Sequence, residues 1–186
     1  ALFAAWGVVY DPAKVVLDTQ AALQVQPDAS QPPVRHLGIL GLKASAMNQK
    51  DVVTADLETI NLASVGALSL RNDSSLKLEP LLQSSSSSAL VATSTERAAT
   101  SDPSLLSRDF KADGGGPYVL AARLTGNLKS AFPERNEARH LSASAQPVNM
   151  LVVADTDLLS DRMWVQAQDF LGQQILNPFA NNADFV

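Results

Sequence analysis

The sequence predicts a single α/β domain over residues 1–186 with a mainly parallel sheet, and three observations carry that prediction. First, Val148-Asn149-Met150-Leu151-Val152-Val153-Ala154 is almost continuously apolar and rich in branched residues, as a strand buried on both faces should be. Second, Leu159, Met163, Ala167, Phe170, Leu171 and Ile175 recur at helical spacing within Leu158 to Leu176. A buried strand that runs through a short acidic turn into an amphipathic helix is half of a parallel βαβ unit. Third, 46% hydrophobic and 18% charged residues suffice for a packed core and are too apolar for a disordered chain. Residues 1–147 read as a strand-and-loop-rich part with short helices, and 148–186 as a terminal strand-helix unit.

Taken in order, Ala1 to Trp6 reads as the tail of a helix closed by Gly7, the residue that most readily takes the left-handed turn. Val8-Val9-Tyr10 is a short strand stopped by Asp11-Pro12, and Val15-Val16-Leu17 a second apolar run. Residues 26–33 contain Pro27, Pro32 and Pro33 and form an exposed loop. Val34 to Leu42 holds a strand centred on Leu37-Gly38-Ile39-Leu40. Asp51 to Leu57 is a short helix or turn, and Ile60 to Leu68 a strand by its alternation. Leu78 to Leu82 and Ala89 to Val91 are expected to face each other across the flexible serines Ser84 to Ser88. Asp102 caps a short helix that has Pro103 in its first turn and runs to Phe110. Gly114-Gly115-Gly116-Pro117 breaks that helix, Tyr118 to Leu124 is a strand ended by Gly126, and residues 133–147 are loop.

Several function classes are set aside by composition. With no cysteine, the chain has no disulfide, thiolate zinc site or cysteine nucleophile. Net charge is −5 and the basic residues are scattered, so nothing is arranged to neutralise nucleic-acid phosphates. No apolar run reaches the 18 or so residues of a spanning helix. Both ends read as cut from something longer, so any membrane anchor is expected outside these residues.

The one acidic constellation is Asp155-Thr156-Asp157, with Asp161 and Arg162 beyond it and Trp164 beside the apolar face of the expected helix. Carboxylates at the carboxyl end of a parallel strand sit where open α/β sheets bind ligands, and a pair can hold Mg²⁺ or Ca²⁺ or act as acid and base. The competing assignment makes Asp157 the helix cap, Asp161 a dipole partner and Arg162 the neutralising charge. That structural assignment takes precedence, because no histidine or second acidic motif completes a site. His36 and His140 are far apart, no Gly-x-Ser-x-Gly or His-Glu-x-x-His occurs, and the Gly114–Gly116 run precedes a strand instead of opening a helix. Asn181-Asn182-Ala183-Asp184 reads as a turn. Asp155, Asp157, Asp161, Arg162 and Trp164 therefore stand as a candidate ligand or partner site, with no catalytic, cofactor or metal residue assigned.

Val152-Val153-Ala154-Asp155-Thr156-Asp157-Leu158-Leu159-Ser160-Asp161-Arg162-Met163-Trp164-Val165-Gln166, continued by Pro178-Phe179-Ala180-Asn181-Asn182-Ala183-Asp184-Phe185-Val186, resembles a segment of the gliding-motility (GldG-like) auxiliary components of ABC transporters. Trp6-Gly7-Val8, Tyr10-Asp11-Pro12, Lys14-Val15-Val16, Ile60 to Leu68, Pro80 to Ser85, Tyr118 to Leu124 and Lys129 to Pro133 resemble further stretches in the same order. One departure is Ala183, where the family usually has glycine. The resemblance implies a three-layer α/β fold similar to flavodoxin-like and class I glutamine-amidotransferase-like domains, lacking its opening strands. It implies a non-enzymatic accessory domain on the periplasmic face of the bacterial inner membrane, beside an ABC permease and ATPase and without a cofactor. The alternative is a small-molecule or carbohydrate-binding or hydrolytic domain that uses the acidic cluster.

Overall fold

A computed structural model describes residues 2–26, 30, 32–170 and 172–186. In chain order the elements are α1 (Leu2–Trp6), β1 (Val8–Val9), β2 (Lys14–Asp18), β3 (Ala22–Val25), β4 (Val34–Lys43), β5 (Thr59–Ala63), β6 (Ser69–Leu70), β7 (Lys77–Gln83) and β8 (Ser88–Ala92). They continue through α2 (Thr93–Ala98), α3 (Leu105–Arg108), β9 (Val119–Gly126), β10 (Val148–Val153), β11 (Val165–Phe170), β12 (Gln173–Pro178) and α4 (Asn182–Phe185).

The expected three-layer, mainly parallel α/β fold is not what forms. Every described strand pair is antiparallel: β1–β6, β2–β8, β3–β4, β4–β5, β7–β9, β9–β10 and β11–β12. The physical reason lies in the connections. Parallel neighbours need a crossover of a dozen or more residues, usually helical, whereas the α-helices here run four to six residues. No helix of the described residues is long and apolar enough to cross a membrane.

The terminal strand-helix unit is the largest correction. Among the described residues β10 pairs only with β9, antiparallel, and its residues are exposed or half-buried, so it is an edge strand and not one buried on both faces. The expected helix over Leu158 to Leu176 is replaced by two 3-10 turns, Asp157–Leu159 and Asp161–Met163, and then by the β11–β12 hairpin. Phe170 pairs with Gln173, and Gly172 lies at φ +80°, where a helix interior would be broken and a tight turn is favoured. The helical spacing was carried by Leu159 and Met163, which belong to the turns, and by Ile175, which is exposed. Leu171, also assigned to that face, lies outside the described residues, as do residues 27–29 and 31 of the expected loop at 26–33.

Other elements form where the sequence places them. α1 ends at Gly7 with φ +71°, β9 ends at Gly126 with φ +134°, and β2, β4 and β7 cover the predicted apolar runs, whereas β5 stops at Ala63, short of the expected end at Leu68, where Ser64 takes φ +53°. α3 is shorter than expected, flanked by Ser104 and not by Asp102 and ending at Arg108, while Asp102 accepts hydrogen bonds from the Ser104 N–H and hydroxyl in the turn before it. The pairing of two strands differs, however. β7 and β8 do not face each other: β7 joins β9 and β8 joins β2. The serines between them are built in, not a flexible turn. Ser84 and Ser88 are buried and hydrogen-bonded to each other at 2.9 Å. Ser85 donates through its N–H (2.6 Å) and hydroxyl (2.7 Å) to the fully buried carboxylate of Asp18.

The main core gathers Val16, Leu40, Leu42, Ile60, Leu62, Leu81, Leu82, Leu120 and Leu124, drawn from β2, β4, β5, β7 and β9, with Val65 from the segment after β5. A smaller cluster of Leu17, Leu37, Ala99 and Leu106 seats α2 and α3 on β2 and β4. β4 joins the two: Leu40 and Leu42 enter the first, and Leu37 the second.

Candidate functional site

In the β3-β4-β5 sheet, β5 is an outer strand. Its pairing with β4 leaves the backbone groups of Thr59, Asn61 and Ala63 facing away from the sheet, as alternate residues of an antiparallel edge do. A buried edge of this kind must find partners, because an unpaired buried backbone polar group costs about as much as a lost hydrogen bond. The C-terminal third supplies them through side chains. Asn181 Oδ1 accepts from the N–H of Thr59 (3.1 Å) and of Glu58 (3.2 Å). Asn182 Oδ1 accepts from the Asn61 N–H (3.0 Å), while its Nδ2 donates to the carbonyls of Asn61 (2.8 Å) and Leu158 (3.1 Å). Asp155 Oδ2 accepts from the Ala63 N–H (2.8 Å). Three side chains thus stand in for a missing strand.

This arrangement reassigns the acidic turn. Asp155, not Asp157, caps the first 3-10 turn: its Oδ1 accepts from the N–H of Asp157 (2.6 Å) and of Leu158 (3.3 Å). Asp157 instead pairs with Arg162 Nη2 at 2.8 Å. Asp161 is exposed and serves through its backbone, its carbonyl accepting from the Trp164 N–H. Trp164 is half-buried, and its carbonyl accepts from Phe179 N–H at the root of the hairpin. Asn182, read from the sequence as a turn residue, is 1% exposed and the most fully committed of the set.

Two hollows flank Ser64. The larger, about 620 Å³, has Leu23, Val25, Ile39 and Phe179 among its apolar lining, and Glu96, Arg97, Asp157 and Arg162 among its charged lining. The smaller, about 350 Å³, holds Asp155 and Asp157 with Phe3 and Tyr10, whose rings meet edge-to-face at 6.4 Å. Ala63, Ser64 and Asp157 line both. Ser64 sits at φ +53°, a left-handed conformation uncommon for a residue with a side chain. Of the five candidate residues, Asp157 and Arg162 face the larger hollow, and Asp155 and Asp157 the smaller. Asp161 and Trp164 line neither.

Glu96 is the charged residue that sequence reasoning missed. It projects from α2 with 8% exposure, and a Cβ at Gly38 would overlap its Oε1. The juxtaposition of Gly38 with Glu96 spans 58 positions and leaves no local signal. Burial raises its carboxyl above the usual range, against the opposing effect of a hydrogen bond with Ser64. Burial lowers the imidazole of His36, which lines the same hollow and whose Nδ1 accepts from the Gly38 N–H at 3.2 Å. Among the described residues no group of acidic and histidine side chains is placed to hold a metal ion.

Burial pushes the Asp155 carboxyl up to about 6, the three backbone N–H bonds opposing it. A carboxyl raised by folding binds its proton more tightly in the native than in the unfolded chain. Its contribution to stability is therefore fully present below its ordinary value of 3.8 and is lost as pH rises through about 6. Glu96 acts in the same sense and the lowered His36 in the opposite one. Asp155→Asn isolates the single group. It turns an amide N–H₂ toward one of three backbone donors, so its melting temperature is expected below wild type throughout. The gap should be widest near pH 4 and narrow through pH 6. A gap independent of pH in thermal melts would refute the assignment.

A protein-family model described as an ABC-type uncharacterized transport system matches residues 1–186. No curated protein and no solved structure matches the chain.

Proposed function

The chain belongs to the ABC-type uncharacterized transport system family, a family of auxiliary components, and from that premise we propose that it is a non-catalytic extracytoplasmic accessory domain that touches a transporter subunit through its β11–β12 hairpin. Within the family, the GldG-like pattern of the acidic turn and the Asn181-Asn182 segment supports a gliding-motility type of system on the periplasmic face of the inner membrane. Its partners in this reading are the permease and ATPase of the same system.

The observation that carries the reading is the exposure of the hairpin. Every residue of Gln166–Asp169 and of Gln173–Pro178 is exposed, including Ile175 (44%) and Leu176 (59%). A two-stranded hairpin on its own is marginal in water, and its apolar residues gain from a partner that covers them. Phe179 (54%), whose N–H bonds to the Trp164 carbonyl, extends the exposed apolar surface at its base.

The test uses the full-length protein with residues 166–177 replaced by a short Gly-Ser linker. Co-purification with the permease and ATPase is expected to be lost while the rest of the domain still unfolds cooperatively. Retention equal to wild type would sink the role of the hairpin.

A further inference from the structure

Ile39 and Gly41 of β4 stand opposite Ala63 and Asn61 of β5, and residues directly opposite in an antiparallel pair show their side chains on one face. The 620 Å³ hollow lies over this face. Met163 and Phe179 from the C-terminal third and Glu96 and Arg97 from α2 add to its lining.

Asn61, 4% exposed, is the residue of this face whose hydrogen bonding is incomplete. Its N–H and carbonyl are taken by Asn182, and its Nδ2 donates to the Met163 carbonyl at 2.7 Å. Its Oδ1 is buried without a partner, a condition shared among the described side-chain atoms by His140 Nε2 alone. Buried acceptors are nearly always paired, because leaving water without a replacement donor costs free energy. At the floor of a hollow, the missing donor can arrive with a ligand.

The surroundings of Oδ1 fit that role. A Cβ on Gly41 would lie 3.3 Å from Oδ1 and 2.5 Å from Leu23 Cδ2, so the tip of Leu23 fills the spot that glycine leaves beside the oxygen. Leu23 is itself half-buried lining of the hollow, and a change of its rotamer uncovers Oδ1.

The charges divide by depth. Asp157 is neutralised by Arg162 at 2.8 Å. Glu96 is buried, whereas Arg97 is exposed and makes no ion pair among the described residues. Acceptors inside and a free cation at the mouth suit a ligand with a donor at its inner end and an anion at its outer end. Val25, Ile39, Met163 and Phe179 suit an apolar body between the two. The volume falls within the range of about 300–1,000 Å³ typical of small-molecule sites.

We propose that this hollow binds a small zwitterion with apolar side chains, the size of a dipeptide. Its ammonium donates to Asn61 Oδ1 and is balanced by Glu96, its side chains lie against Ile39 and Phe179, and its carboxylate pairs with Arg97. The hairpin contact plays no part in this site, so either can fail without the other.

Titration of the whole chain with leucylphenylalanine tests it, with a Kd below about 1 mM expected. The N-acetyl form lacks the ammonium and the C-terminal amide lacks the carboxylate, and each should bind at least about tenfold more weakly. In NMR spectra the free dipeptide should shift the Asn61 side-chain amide and the Leu23 methyl resonances. Arg97→Glu, a change at an exposed position, should weaken the free dipeptide by about tenfold or more without weakening the C-terminal amide, and should leave the melting temperature near wild type. The proposal is overturned if no saturable binding occurs up to about 10 mM, or if either blocked form binds as well as the free dipeptide. Resonance changes that miss Asn61 and Leu23, or an unchanged affinity in Arg97→Glu, would overturn it equally.

Discussion

Asn182→Ala is expected to destabilise the domain by about 3–5 kcal/mol, enough to lower the melting temperature by roughly 10 °C. The side chain is 1% exposed and makes three hydrogen bonds, each to a backbone group of Asn61 or Leu158. Alanine removes all three partners at once and leaves a buried N–H and two buried carbonyls with nothing to replace them. Leaving such a group unsatisfied costs about 1–3 kcal/mol, more than the modest net gain of an average hydrogen bond. Asn181→Ala provides the internal comparison. Its carbonyl oxygen serves the N–H groups of Glu58 and Thr59 at a half-buried position, so a loss of about 1 kcal/mol is expected. Chemical denaturation of both variants measures the difference. A loss at Asn182 no larger than at Asn181 would mean that the outer edge of β5 is satisfied in some other way.

Asp51→Ala is the second large effect, about 2–4 kcal/mol. Asp51 Oδ2 accepts from Arg123 Nε at 2.6 Å and Oδ1 from Nη2 at 2.7 Å, a two-pronged pair joining the turn after Asp51 to β9. The carboxylate side chain is 6% exposed and the guanidinium 17%, and Arg123 also donates to Asn149 Oδ1 on β10. Because the guanidinium keeps some water, the loss falls below that of a wholly interior pair. The carboxylate further accepts from the Val53 N–H, so its removal frees the turn as well as the arginine. Hydrogen bonding from Arg123 holds the Asp51 carboxyl below its ordinary value of 3.8. The pair therefore contributes fully above that value and fades as pH falls through the lower, folded one. The difference in unfolding free energy between Asp51→Ala and wild type should be constant from pH 5 to 8 and shrink below about pH 4. A difference that grows toward acid would contradict the assigned pair. This window lies below that of Asp155, whose effect is spent between 3.8 and about 6 with the opposite sign.

The candidate site was partly legible in the chain. Asp155, Asp157 and Arg162 do come together at the end of a strand, and two of them face the larger hollow. Arg162 neutralises the cluster as expected, but the cap was misassigned because capping depends on where the turn begins, and a two-residue shift moves it from Asp157 to Asp155. Asn182 resembled a turn residue because asparagine pairs are common in turns, and its partner Asn61 lies 121 positions earlier. Glu96 sits in an ordinary short helix, with nothing around it to announce burial.

By itself the sequence determined the local events and the family: the left-handed stops at Gly7 and Gly126, the apolar strands 14–18, 34–43 and 119–126, and the ordered match across residues 1–186. Those features depend on a residue's own φ/ψ preference and on its near neighbours. Only the tertiary structure decided strand direction, partner choice and the fate of residues 158–178. Apolar runs of five to seven residues fit parallel and antiparallel sheets alike, and spacing at three and four fits two turns and a hairpin once Gly172 allows the reversal. What settles such cases is the satisfaction of backbone groups across more than a hundred residues. In this chain, the side chains of Asp155, Asn181 and Asn182 settle it on β5.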